Sequence, residues 1–123
     1  MATTSDLIGL GVPPRQAQRL GFGATTSSLT ATGTTSADAL QLADGVNIFS
    51  TVAASTGAKL VSALNAGRNV IVNGGANALL VYPATGEQIN NGTVTTGTYS
   101  IAAGKTALFE TAGPLRWVAT LST

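Results

Sequence analysis

Cysteine and histidine are both absent from the 123-residue sequence. The chain therefore has no thiol nucleophile, no disulfide, no imidazole base and no zinc or haem site of the usual kind. Charge is scarce as well, because Lys, Arg, Asp and Glu make up 9% of the residues, against roughly 25% in an ordinary soluble domain. Six dispersed cations are a poor match to the phosphates of a nucleic acid. These absences disfavour most enzyme classes and predict no nucleic-acid partner.

Long hydrophobic runs are also missing. The longest, residues 78–82, ends at Pro83, and a membrane span needs about 20 apolar residues. The N-terminus has no basic region followed by an apolar block, so no secretory signal is visible. We therefore expect no membrane partner. The lack of cysteine fits assembly in a reducing cytoplasm.

Residues 1–36 differ from the rest and are predicted to form an N-terminal arm and linker. Ser5 or Asp6 could cap a short turn, and residues 15–20 favour one or two turns of helix that Gly21 ends. A piece this short is not stable alone, so its apolar residues either cap the chain's own core or contact a neighbour; we favour the neighbour. The candidate partner-binding residues of the arm are Leu7, Ile8, Leu10, Val12, Arg15, Arg19, Leu20 and Phe22.

The linker, residues 23–36, is small, uncharged and rich in hydroxyl side chains. Such a stretch could be a flexible tether or an extended strand, because Thr favours strands and Gly does not. The sequence alone does not distinguish a flexible tether from an extended strand.

Residues 37–123 are predicted to form a mainly β body, an antiparallel β-sandwich of the jelly-roll kind. Short apolar stretches recur every 8 to 12 residues with turn signals between them, which is typical of sandwiches and small barrels. Residues 69–73 and 78–82 are expected to pair as a hairpin across Gly74 and Gly75. The predicted strands lie at 38–42, 46–52, 59–64, 69–73, 78–82, 99–101, 106–110 and 116–121, with a loop or short edge piece at 88–93.

Residues 64–72 and 101–109 share one pattern, in which an Ala-Gly pair and a cation precede a strand. Two copies are too few for a solenoid and predict two related hairpins. A body of this size is marginal alone, and with few aromatic residues and no disulfide it would gain burial from self-association. This is the physical reason to expect a homo-oligomer.

Catalytic patterns are sparse. No G-x-S-x-G or S-x-x-K motif is present, although a Ser–Lys dyad with Lys59 or Lys105, or a pair of carboxylates such as Glu87 and Glu110, stays open. The carboxylates are expected to be solvated or to cap turns. We expect no catalytic, cofactor-binding or metal-binding residues and no enzyme activity.

The aromatic residues offer one further kind of site, because exposed rings can stack on sugars. Trp117 lies within an apolar stretch and is expected to pack in the core. Tyr82 and Tyr99 are the better candidates for rings that face a glycan.

Two parts of the sequence resemble small structural proteins of tailed bacteriophages. The resemblance rests on Thr4 to Pro14 at the start, and on 75–86, 101–105 and 117–119 in the body. It implies a virion component that is assembled in the host cytoplasm, a trimeric decoration or cement protein on the capsid head. Such a protein would contact itself and the major capsid protein or another virion protein. The alternatives are a tail or head fibre or spike that binds host glycans, and a small hydrolase.

Overall fold

The computed structural model describes residues 24–64 and 67–122. These residues form ten strands and no helix. The helix predicted at 15–20 and all eight arm residues lie outside the described part. The strands are β1 (Ala24–Thr30), β2 (Leu40–Gln41), β3 (Gly45–Thr51), β4 (Gly57–Lys59), β5 (Arg68–Asn73), β6 (Leu79–Tyr82), β7 (Gln88–Ile89), β8 (Tyr99–Ile101), β9 (Thr106–Thr111) and β10 (Arg116–Leu121).

The strands form two mixed sheets. The large sheet has six strands in the order β1-β3-β5-β9-β10-β7, and the small sheet has four in the order β2-β4-β6-β8. In the large sheet β1, β3 and β5 are mutually parallel, β9 is antiparallel to both β5 and β10, and β7 is parallel to β10. The mainly β prediction is confirmed, but the expectation of wholly antiparallel pairing is wrong.

The parallel pairs arise because the chain winds alternately through the two sheets. From β1 to β6, odd strands join the large sheet and even strands join the small sheet. Each of β1 to β4 pairs in parallel with the strand two positions later. Three successive coils therefore stack, with Val46 beside Val70 in one sheet and Ala58 beside Val81 in the other.

The same winding corrects the predicted hairpin. Residues 69–73 and 78–82 do form strands, but β5 belongs to the large sheet and β6 to the small one. The connection through Gly74 and Gly75 turns a corner between the sheets. The strand predicted at 59–64 is also wrong for most of its length, because β4 ends at Lys59.

The first half of the linker forms a strand rather than a flexible tether. Residues 24–30 form β1, which pairs with β3 of the same chain at the edge of the large sheet. The stretch assigned to the linker therefore contributes one strand to the sheet.

One hydrophobic core joins the two sheets. The large sheet contributes Phe49, Ile71, Phe109 and Trp117, all fully buried, and the small sheet contributes Leu79, Val81 and Ile101. Tyr99 of β8 meets Phe109 of β9 edge to face, with ring centroids 5.6 Å apart. The core prediction for Trp117 is confirmed.

Candidate functional site

The outward side of the large sheet carries a continuous set of aliphatic side chains. Val46 lies beside Val70, and Val70 lies beside Leu108 on the next strand. Ile48 and Val72 form a second row beside the first. None of these side chains belongs to the core, and all are partly exposed. We call this surface the aliphatic face and define it as Val46, Ile48, Val70, Val72, Leu108 and Val118.

The inward side of β3 and β5 is, by contrast, partly polar. Asn47 and Asn69 are fully buried, and their amide groups lie 3.0 Å apart. Nδ2 of Asn47 donates to the carbonyl of Ala43 at 3.0 Å. With the Asn69 amide oriented so that its nitrogen faces the backbone, that nitrogen donates to the carbonyls of Ala43 at 3.0 Å and Gly45 at 3.2 Å. These two strands therefore hold Asn47, Asn69 and Asn73 inside, beside Phe49 and Ile71, and place Val46, Ile48, Val70 and Val72 outside. Placing amides inside and aliphatic side chains outside is costly for a lone subunit, because buried amides need partners and exposed aliphatic area gains nothing from water.

The outward side of the small sheet is different in character. Gln41, Lys59 and Tyr82 align across its strands, and the Tyr82 hydroxyl donates to the carbonyl of Thr34 at 3.1 Å. The neighbouring position is Gly57, where a β-carbon would lie 2.9 Å from the Tyr82 ring. The loop before β2 thus covers part of this side, and no matching cover lies over the aliphatic face in the described residues.

Neither end strand of the large sheet offers a regular edge. β1 has two register breaks on either side of Leu29, and Ser28 adopts a positive φ of 59°. β7 at the other end is two residues long. Bulges and short strands are the usual means of preventing edge-to-edge pairing. Association through the face is therefore favoured over strand addition.

Charged residues border the aliphatic face at one end. Arg68 of β5 and Glu110 of β9 lie opposite one another and form an ion pair of 3.5 Å, with both side chains about half exposed. Val118 lies beside Glu110 on the third strand. An exposed pair of this kind contributes little to the free energy of unfolding. The pair forms part of the rim of the aliphatic face.

A cleft lies between β7 and β10. It is an open cleft of about 370 Å³, and Val94 and Leu115 on its walls are half exposed. With the Gln88 amide oriented so that its oxygen faces Arg116, that oxygen accepts from Nη2 at 2.7 Å and from Nε at 2.9 Å. The guanidinium is then already partnered, and the cleft presents mostly apolar walls.

The side chains considered for catalysis do not form an acid–base pair in the described residues. Lys59 donates to Oγ1 of Thr85 at 3.3 Å rather than to a serine. Glu87 is buried and receives hydrogen bonds from the Ser62 hydroxyl and the Ala63 N–H. Glu110 pairs with Arg68 on the surface. No group of three or more carboxylates suited to a metal ion occurs in 24–64 and 67–122.

Asp38 caps the turn before β2. Its Oδ1 accepts from the backbone N–H of Thr35 at 2.9 Å, from the Thr35 hydroxyl at 2.8 Å and from the N–H of Thr34 at 3.1 Å. The hydrogen bonds from Thr35 hold the pKa of Asp38 below its ordinary value. The prediction of a turn-capping carboxylate is confirmed at this position.

The two tyrosines predicted to face a glycan differ in how exposed they are. Tyr82 is 6% exposed and its hydroxyl is bonded, so the prediction of a free ring is wrong there. Tyr99 is partly exposed and packs one side against Phe109, and its role stays a prediction.

The aliphatic face was not predicted from the sequence. Its one signal is that Asn47, Asn69 and Asn73 lie next to Val46, Ile48, Val70 and Val72, so that an inward Asn places its neighbours outward. An ordinary half-buried strand would place those β-branched residues inward, and the buried asparagines reverse the assignment.

No helix among the described residues is long and apolar enough to cross a membrane. The chain matches no protein-family model, no curated protein and no solved structure.

Proposed function

We propose that this protein is a non-enzymatic structural component of a phage virion, a trimeric decoration or cement protein of the capsid head. One observation supports this more than any other: the aliphatic face on the large sheet of a charge-poor chain, which no described residue covers. Branched aliphatic side chains that share one side of a sheet gain free energy when a partner covers them. With a net charge of +1, little long-range repulsion keeps copies apart.

In this proposal the body is a β-sandwich. The single core shared by two sheets supports a sandwich. The parallel pairing of the first six strands favours wound coils over a jelly roll, whose strands are antiparallel. Such a body gives the large sheet a firm backing, so the outward side chains are held in fixed positions.

The mechanism is additive burial. Each subunit covers its aliphatic face by contact with a sibling and binds the major capsid protein, or another virion protein, through the rest of its surface. Covering a face of roughly 200 Å² gains about 5 kcal/mol at 25 cal/mol per Å². The cost of association offsets most of this gain, so a single contact is weak. Contacts of that strength become effective when many are linked on one shell, because linked sites raise the overall affinity.

The experiment is a binding titration on capsid particles that lack this protein. We expect saturable binding of the natural chain, detected by co-sedimentation, and a rise in the temperature at which the particles break open. Val70→Lys places a charge on the aliphatic face and should reduce occupancy about tenfold or more, the equivalent of about 1.4 kcal/mol.

The matched control is Ser100→Lys, which adds the same side chain to an exposed position on the small sheet. This variant should coat the particles like the natural protein. Absence of binding by the natural chain, or equal binding by both variants, would contradict the proposal.

Deletion of residues 1–23 tests the arm separately. The proposal predicts that the truncated body, which keeps β1, loses occupancy on the particles. Full occupancy by the truncated protein would show that the arm is not the anchor.

A further inference from the structure

The aliphatic face is small for an interface between two folded bodies. Its members span four strands, from Val46 on β3 to Val118 on β10, which is about 14 Å at roughly 4.8 Å per strand. Along the strands it extends over a few residues, so its area is roughly 200 Å². A stable interface between two bodies needs about 800 Å² per partner. The face therefore fits a short apolar segment better than a second sheet.

The chain itself contains such a segment before β1. Residues 7–12 include Leu7, Ile8, Leu10 and Val12 and carry no charge. Asp6 precedes them, and the rim of the aliphatic face carries the Arg68–Glu110 ion pair. The segment therefore matches the apolar character of the face and brings no charge onto it.

The length of chain outside the described residues sets the reach of this segment. The described chain starts at Ala24 in β1, an edge strand of the same sheet, where Thr25 lies beside Val46. From Val12 to Ala24 the chain can extend up to about 40 Å. That reach is nearly three times the width of the face, so residues 7–12 can extend beyond their own sheet to that of a neighbour.

We propose that residues 7–12 of one copy lie on the aliphatic face of a neighbouring copy, so that the subunits are joined by exchanged arms. This inference rests on the self-association in the proposed function and names the element that covers the face. Exchange of an identical element is a low-cost route to a closed oligomer, because each copy both gives and receives the same contact.

The absence of cysteine makes a direct test practical. A Thr4→Cys variant carries a single nitroxide spin label close to residues 7–12 and leaves their apolar side chains unchanged. Spin-labelled protein at natural isotope abundance is unfolded together with ¹⁵N-labelled, label-free protein and refolded as a mixture. The nitroxide then broadens ¹⁵N amide signals only when it lies on a different copy.

The inference predicts that the amide signals of Val46, Val70 and Leu108 lose most of their intensity in the mixed sample, while Ser100 on the small sheet keeps its signal. A triple variant, Leu7→Ser with Ile8→Ser and Leu10→Ser, should abolish the effect and lower the oligomer mass measured by sedimentation.

Two results overturn the inference while leaving self-association intact. In the first, the oligomer forms and broadening occurs only when the label and ¹⁵N are on the same chain, which would mean that the segment covers its own sheet. In the second, the oligomer forms and none of the three signals is broadened. If no oligomer forms at any concentration, both the inference and the self-association in the proposed function fail.

Discussion

The hydroxyl of Ser62 donates a 2.6 Å hydrogen bond to Oε2 of Glu87, a side chain that is 2% exposed. The backbone N–H of Ala63 donates to both carboxylate oxygens, at 2.9 and 3.1 Å. Glu87 immediately precedes β7, so this carboxylate fastens the segment after β4 to the last strand of the large sheet.

Glu87→Ala should lower the free energy of unfolding by about 2–3 kcal/mol, because hydrogen bonds to a charged group are lost and the Ala63 N–H loses its acceptor. Urea denaturation followed by circular dichroism measures the change. Glu110→Ala is the matched control, since Glu110 is exposed and its ion pair contributes little; its effect should be within about 0.5 kcal/mol. Equal losses for the two variants would contradict the role given to Glu87.

Asn73 connects the two sheets through its amide. Its Nδ2 donates to the carbonyls of Asn77 and Ile101, both at 2.8 Å, and its Oδ1 accepts from Gly75. Asn73→Ala should cost about 2–4 kcal/mol, because buried backbone groups lose their partners. Asn91→Ala, at an exposed position, serves as the control and should be nearly neutral. Thermal unfolding of both variants distinguishes them, and a neutral Asn73→Ala would refute this role.

The turn held by Asp38 should depend on pH. Because the pKa of Asp38 in the folded chain lies below its ordinary value of 3.8, its contribution to stability is present above that value and disappears as the pH falls through the folded pKa. We expect the Thr35 amide signal to shift over that acidic range in an NMR titration, and the shift to vanish in Asp38→Asn. A midpoint above 3.8 would contradict the predicted direction.

Trp117 provides a direct test of the glycan alternative, because it is the single tryptophan in the chain and is fully buried. Its fluorescence should resist quenching by acrylamide and should not change when host polysaccharide is added. A saturable change on addition of polysaccharide would favour the fibre or spike interpretation. Urea should restore quenching, which provides the control for a working assay.

The sequence predicted most strands because their local signals agree with the fold. Residues 116–121 include Trp, Val and Thr, which favour strands, and they follow the turn residues Gly113 and Pro114. The strand β10 has the predicted limits. The positions of strands follow from turn residues and β-branched side chains, which act locally.

The pairing of the strands was not predictable in the same way. Gly74 and Gly75 are compatible with a hairpin turn and with a corner between sheets, and only the wider fold decides between them. The β-carbon of a residue at Gly75 would lie 2.6 Å from the Val52 backbone nitrogen, so this corner depends on a close approach from the previous coil. Contacts of that kind are formed between distant residues and leave no local signal.

The aliphatic face was missed for a related reason. A strand residue such as Val70, which lies next to the polar Asn69, is ordinarily assigned to the inward side. Asn47 and Asn69 are buried instead, where their amides have hydrogen-bond partners, and this places Val70 on the outward side.

Self-association through the aliphatic face is tested most directly by sedimentation velocity on the natural chain, Val70→Lys and Ser100→Lys over a range of concentrations. A fourth variant, Val118→Lys, alters a more exposed position of the same face, and circular dichroism checks that each variant is folded. We predict an oligomer for the natural chain and Ser100→Lys, and monomers for Val70→Lys and Val118→Lys. A natural chain that stays monomeric at every concentration, or a folded Val70→Lys and Val118→Lys that associate as fully as Ser100→Lys, would contradict the account.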